Sequence, residues 1–419
     1  MRHFTWILAF WITSHLAAQN NQLQEYYTQA IQAFKAGEKE KFYTLILKAH
    51  EIHPYHQGIL YQAGIAAAMN NRREEAIRYL KEAILIQSDF LLGIPELAVL
   101  NGDPEFEMLK KLREEESKVI VRSDTAFVIT ERSLHIESIA PGEANGIFYC
   151  GSIHKRKIIK ITNGVAEDFI REGQDGLCSV FGIKSDPGKK VVWVSSSPMP
   201  EMKDYDRSLP SAVYAYDMRS GKLIQRYLPE NPASELVLGD LVLSGKGEVY
   251  ASDSRNNLIF RVNQSSGKLE QFYSSDNFWN IQGITLSDDG KYMFIADYVK
   301  GIFRLELDKP ELVHVSKSFD LSLKGIDGLT FYNNSLIAIQ NNVNPMRVTR
   351  YTLNPGRDKL ISYAIIDRKH PAFNEPTLGC VYRDTFYYVA NSQWSGYRDQ
   401  KIKPVDELQD IVILKAKLK

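Results

Sequence analysis

Three carboxylates, Glu137, Asp327 and Glu375, and one carboxamide, Gln282, each stand at the head of a short apolar stretch in a chain of 419 residues. Oxygen donors of this kind suit a hard divalent cation, Ca²⁺ before Mg²⁺ or Zn²⁺, better than a soft metal. A cation so held polarises an ester or lactone carbonyl and lowers the pKa of bound water. Asp327 or Glu375 could then act as general base if its surroundings raise its pKa toward neutrality. Glu and Asp before a strand are also ordinary turn and capping residues. The chemistry therefore depends on whether side chains so far apart in sequence meet in space.

A repeated hairpin unit is what would bring them together. Its clearest copy is Leu323 to Asn342, in which an acidic start precedes a short apolar strand, a polar turn, and a second strand rich in aromatic and β-branched residues. First strands are expected from Glu137, Phe181, Gly239, Gln282, Asp327 and Glu375, and second strands from Phe148, Val191, Glu248, Tyr292, Ser335 and Phe386. Copies spaced by roughly 40 to 60 residues indicate propeller blades. A propeller gathers the starts of its innermost strands around one channel. The six first-strand residues would then share an axis, three of them as carboxylates whose mutual repulsion a cation or shared protons must offset.

From Glu137 to the C-terminus this pattern resembles the six-bladed propellers of the senescence-marker-protein, gluconolactonase and luciferin-regenerating-enzyme group, and more distantly strictosidine synthases and paraoxonases. The residues that carry the resemblance are Glu137 before FYCGSI, Gln282-Gly283 before ITLSDDGKYMFIADY, and Asp327-Gly328 before LTFYNNSLIAIQ. It implies a divalent-cation site formed by Glu137, Gln282 and Asp327, with Gln282 where the group carries Asn. It also implies substrate contacts at the positions of Gly239 and Asp240, with Gly239 in place of a usual Asn, and a functional Glu at Glu375. His135, two residues before Glu137, would share its face on a regular strand. It joins the substrate-contact candidates, with a packing histidine as the alternative.

Upstream, residues 22–118 read as helical. Small and apolar positions recur at a spacing of 34, as in Ala30 with Gly64, Ala33 with Ala67, Phe42 with Ala76, Ile46 with Leu80 and Ala49 with Ala83. That period resembles the tetratricopeptide repeat, whose close helix packing needs small residues at facing positions. A protein or peptide partner is the expected ligand of this part, or it serves as a structural adaptor. Residues 119–136 form a linker that includes a candidate propeller-closing strand near Phe127 to Ile129, to be paired with the apolar segment from Asp410.

Residues 1–18 combine Arg2, an apolar run and a small-residue end at Ala17 and Ala18, which reads as a secretory leader and implies a periplasmic or secreted protein. The 51 basic and 51 acidic residues balance, so no nucleic-acid footprint is present, and no later stretch is long and apolar enough for a stable membrane span. Cys150, Cys178 and Cys380 are an odd set, with a Cys150–Cys178 pairing left open. No phosphate loop, nucleophile elbow or Cys/His zinc signature occurs. Insertions from Pro198 and Gln393 read as loops over one end of the propeller, either to select a ligand or as disordered surface excursions.

The expected architecture is thus a multidomain chain: leader 1–18, all-α tetratricopeptide-like domain 22–118, linker 119–136, and all-β six-bladed propeller 137–419. The expected function is metal-dependent hydrolysis of a lactone or related ester, sugar-derived by the resemblance. The alternative is a noncatalytic binding or assembly protein in which the cation is structural.

Overall fold

The computed structural model describes residues 14–230, 235–398 and 400–419. Most of the expected leader, residues 1–13, lies outside the described residues. The chain divides into two compact units, Met1–Ser117 and Lys118–Lys419.

The first unit is helical: α1 (Ser14–Lys35), α2 (Lys39–Ile52), α3 (Gln57–Met69), α4 (Arg73–Ile86) and α5 (Pro104–Ser117), with a 3-10 turn at Pro95–Leu100. The repeat of small residues becomes contact: a Cβ at Gly64 would stand 2.6 Å from Leu80 Cγ, so α3 and α4 approach only because Gly64 has none. Ala30, Phe42, Ile46, Ala49, Ala67, Ala76, Leu80 and Ala83 are all fully buried. Asp103 starts α5 by accepting from the backbone N–H groups of Glu105 (2.9 Å) and Phe106 (3.3 Å). No helix among the described residues is long and apolar enough to cross a membrane.

The second unit is a six-bladed propeller, each blade a four-stranded antiparallel sheet named here in order from the axis outward. Blade 1 is Ile136–Pro141, Ile147–Ser152, Ile158–Thr162 and Val165–Ile170; blade 2 is Ser179–Asp186, Val191–Ser197, Ala212–Asp217 and Leu223–Pro229. Blade 3 is Leu238–Leu243, Val249–Asp253, Leu258–Asn263 and Lys268–Ser274; blade 4 is Ile281–Leu286, Tyr292–Asp297, Gly301–Glu306 and Leu312–His314. Blade 5 is Ile326–Tyr332, Ser335–Gln340, Arg347–Leu353 and Lys359–Arg368, with Ser316–Lys317 alongside its outer edge.

Blade 6 draws on both ends of the unit: Gly379–Tyr382, Thr385–Val389 and Ile411–Lys417 are joined by Asp124–Ile129 as outermost strand, with Ile129 opposite Ile411. This pairing covers what would otherwise be an open edge. The run into it is fixed by Asp367, which accepts from the N–H groups of Arg122 (2.9 Å) and Ser123 (3.2 Å) and from the Tyr388 hydroxyl (2.7 Å).

Apolar clusters fill the spaces between neighbouring blades. One of them holds Cys150 and Cys380 together with Ile139, Ile159, Val389 and Ile413. All three cysteines are buried free thiols, and Cys178 instead points its sulfur at the Gly176 carbonyl (3.8 Å). The Cys150–Cys178 pairing is therefore absent.

Candidate functional site

The innermost strands lie side by side in a closed ring, each against the next and the first strand of blade 6 against that of blade 1. In five blades the first strand carries a β-bulge at its start: Glu137, Phe181–Gly182, Gly239–Asp240, Gln282–Gly283 and Asp327 fall between paired positions and have no partner opposite. A bulge re-aims its side chain, and here four of the five bulges carry a side chain for the channel, Glu137, Phe181, Gln282 and Asp327, while the fifth carries Gly239. Glycine follows because the next blade passes so close. A Cβ at Gly283 would meet the Asp327 carbonyl at 2.6 Å, and one at Gly328 the Thr377 carbonyl at 2.5 Å. Hydroxyls stitch the ring, with Ser195 donating to the Gly239 carbonyl (2.5 Å), Ser252 to that of Gln282 (2.9 Å) and Thr377 to that of Glu137 (2.8 Å).

Blade 6 departs from the expected register. Its two-residue turn pairs Tyr382 with Thr385, as Tyr332 pairs with Ser335 in blade 5, and counting back from that turn puts Thr377, not Glu375, in the place of Asp327. Pro376 has no N–H to give a ladder, and the strand begins only at Gly379. Glu375 sits in the preceding loop with a left-handed backbone (φ 60°). Its carboxylate accepts from the Ser395 N–H (3.0 Å) and still faces the other two acids from that loop.

Glu137 is buried, and its Oε2 accepts from the Ser392 hydroxyl (2.7 Å) and the Trp394 indole N–H (3.0 Å). Burial, then Asp327, push its pKa well above the usual carboxylate range, opposed by those two hydrogen bonds. Asp327 is partly open to the channel and surrounded by protein. Burial pushes it up to about 7 against the Asn341 carboxamide, which donates to its Oδ2 at 2.7 Å, while Asp240 and Glu375 add repulsion. Tyr298 holds that carboxamide by donating to its oxygen (2.6 Å), and burial keeps the phenol protonated.

The candidate substrate contacts divide. Asp240 is buried and already occupied, its Oδ1 accepting from Lys184 Nζ (2.9 Å) and the Leu241 N–H (2.8 Å), its Oδ2 from the Ile284 N–H (3.3 Å). Gly239 offers the channel no side chain. His135 is not on a strand: it has a left-handed backbone (φ 53°) just before Ile136. Its ring stacks on Tyr397 (4.2 Å between centroids) and meets Trp394 edge-on (4.6 Å), with no hydrogen bond to either nitrogen. Burial holds it neutral, its pKa well below the usual value.

Sequence reasoning passed over Asn341, Tyr298 and Ser392, which follow second strands in their blades; the recurrence of a polar residue there was the available signal. Two other members of that set are structural. Asp297 takes four backbone N–H groups, those of Trp279, Asn280, Val299 and Lys300, and Asn391 bonds Asp410 and Val412. Of the three tryptophans among the described residues, Trp193 is packed between blades and Trp279 is 40% exposed beneath Lys300, leaving Trp394 at the channel.

For a divalent cation the donor chemistry fits. Glu137, Asp327 and the Gln282 carboxamide are all oxygen donors, and the two acids repel each other in a setting where a cation would relieve them. Gln282 spends its NH₂ group on Asn280, which leaves its carbonyl oxygen as the acceptor end. Among the described residues no three His, Cys, Asp or Glu side chains converge closely enough to hold a metal between them. A cation here would therefore take two carboxylates and complete its shell with carboxamide and water. Two surface hollows are lined by other residues, one of about 200 Å³ beside Phe127 and Phe148 in the propeller, the other of about 360 Å³ between Lys39, Met69 and Val99 of the helical unit.

No protein-family profile and no curated protein matches the chain. Among solved structures it is similar to a luciferin-regenerating enzyme (12% identity, 72% of this chain and 96% of that one, TM-score 0.49). It is similar also to the PQQ-bound aldose sugar dehydrogenase of Streptomyces coelicolor (12%, 72% and 98%, 0.47) and to virginiamycin B lyase of Staphylococcus aureus (12%, 71% and 99%, 0.46). The activities in those names differ from one another, and none is carried over to this chain.

Proposed function

We propose that the propeller channel is a hydrolytic site for a lactone or related ester, dependent on a hard divalent cation, Ca²⁺ in the first instance. The observation that supports it is the convergence of Glu137, Asp327 and Glu375 on one axis, with Asp327 pushed up to about 7. Glu137, Asp327 and Gln282 are the residues to hold the cation, which when bound supplies Lewis-acid polarisation of the carbonyl.

The chain's own groups do the rest. Asp327, whose carboxyl burial pushes up to about 7, is placed to accept a proton from the attacking water as general base. Asn341, held by Tyr298, fixes one of its oxygens. Ser392 and Trp394 fix Glu137, and the Ser395 N–H fixes Glu375. The leader-like sequence of residues 1–18 supports export, to the periplasm or beyond the cell.

Calorimetric titration of Ca²⁺, Mg²⁺ and Zn²⁺ into chelator-stripped protein tests the site, with Glu137→Gln and Asp327→Asn alongside and a screen of lactones and esters run on the same samples. Binding lost in both variants, with turnover lost in Asp327→Asn, is expected. A folded protein that binds none of the three cations would remove the mechanism. The assembly reading would then gain, with the hollow lined by Lys39, Met69, Asn71, Pro95 and Val99 as the place to seek a partner.

A further inference from the structure

We infer that the substrate presents a flat apolar face beside its carbonyl rather than a polyhydroxylated ring, and that Trp394 and Phe181 select it. The inference rests on the hydrolytic reading for its chemistry but on a different part of the channel for its evidence.

The ring of side chains around the axis is lopsided. Blades 1, 4 and 5 and the loop before blade 6 contribute Glu137, Gln282, Tyr298, Asp327, Asn341 and Glu375, all polar. Next to Glu137, blade 2 contributes Phe181, 7% exposed, and beyond it blade 3 contributes Gly239 with the Ser254 hydroxyl beside it. The carboxylate nearest to Phe181 is engaged: Asp240 accepts from Lys184 and two backbone N–H groups. A sugar-like ligand needs a hydrogen-bonding partner for each hydroxyl it buries, and an unpaired one costs it affinity. The ring of Phe181, and the indole face of Trp394 beside it, offer none.

Trp394 completes this wall and is built to stay in place. The segment that carries it is clamped at its base by paired side-chain to backbone bonds between Gln393 and Gln409 (3.0 and 2.8 Å). Its indole is turned by the bond to Glu137 (3.0 Å), so that its ring lies near-parallel to that of Phe181, 27° apart with centroids at 6.3 Å. Behind it His135 and Tyr397 form a stacked pair, with both imidazole nitrogens left without a partner. A histidine kept buried at that cost acts here as an aromatic buttress, which accounts for its place beside the site without contact to substrate.

Binding tests this independently of turnover. Two δ-lactams, which copy the ring and carbonyl of a lactone but resist hydrolysis, are titrated calorimetrically into Ca²⁺-loaded protein, one phenyl-substituted and one polyhydroxylated. Burial of one ring face should favour the phenyl compound by about tenfold. Trp394→Ala and Phe181→Asn should each erase most of that preference, whereas Phe181→Leu, which keeps apolar bulk, should retain it. Circular dichroism confirms folding, and if Phe181→Asn does not fold, Trp394→Ala and Phe181→Leu still decide. Equal affinities, preference for the polyol, or no binding of either compound would overturn the inference. The corresponding lactones assayed alongside read the hydrolytic proposal separately: selective binding without turnover sinks that proposal and leaves the apolar wall standing.

Discussion

Replacing Asp327 by Asn should make the cation-free protein more stable at alkaline pH and leave it unchanged in acid. The carboxyl sits near 3.8 when the chain is unfolded and is pushed to about 7 in the fold. A folded state that binds its proton more tightly loses stability as pH rises through the interval between those values, so the penalty is absent near pH 4 and complete near pH 8. The shift converts to about 4 kcal/mol at 1.36 kcal/mol per unit. Partial solvent access from the channel screens the charge, which makes about 2 kcal/mol the lower figure. Asn cannot ionise, yet its carbonyl oxygen still accepts from Asn341, so the substitution removes the penalty without emptying the position. Urea denaturation of chelated wild type and variant across that pH range reads the difference directly. It should open from nothing to between about 2 and 4 kcal/mol, and Ca²⁺ at a hundredfold excess over its Kd should return about 2.7 kcal/mol to the wild type alone. A difference that is constant with pH, or one that favours the wild type at high pH, would refute the burial and repulsion argument at Asp327.

Gly328→Ala should cost about 1 to 3 kcal/mol through a backbone clash with Thr377, which cannot swing aside as a side chain would; a melting temperature within error of wild type would show that the ring is looser than its bulges imply. Deleting Ile411–Lys419 removes a central strand of blade 6 and uncovers its neighbours, so the propeller should fail to melt cooperatively, and an unchanged transition would count against this closure. The helical unit's packing predicts that Gly64→Leu destabilises by about 2 kcal/mol or more through collision with Leu80, checked by denaturation of the full chain.

The hairpins were legible in the sequence because alternation and turn chemistry are local. The strand pairs around Asp327 and Gln282 begin where their patterns begin, and the helical spans follow the spacing that brings Gly64 onto Leu80. Less legible was anything that depends on one extra or missing residue. Glu375 was aligned with Asp327 by its acidity, although Pro376 and the turn at Tyr382–Thr385 put Thr377 in that place. His135 was given a strand's alternation, but its left-handed backbone turns it into an aromatic cluster formed by a segment more than 250 residues away. Asp240 looked available for substrate because its saturation by Lys184 comes from a neighbouring blade. Such contacts are set by the ring as a whole, and no window of sequence contains them.

Blade 6 also sets a timetable. Its outermost strand, ending at Ile129, leaves the ribosome early, and its partner from Ile411 follows only after nearly all of the propeller has been made. At ordinary rates of synthesis that interval is roughly 15 to 60 s. Until that strand arrives, the blades already made carry the bulged residues of the channel without the closing arc of Thr377, Ser392 and Trp394. Glu137 acquires its hydrogen-bond donors, and the channel its full circumference, only when the last strand arrives. A nascent or prematurely terminated chain is therefore an open form whose channel lacks one side.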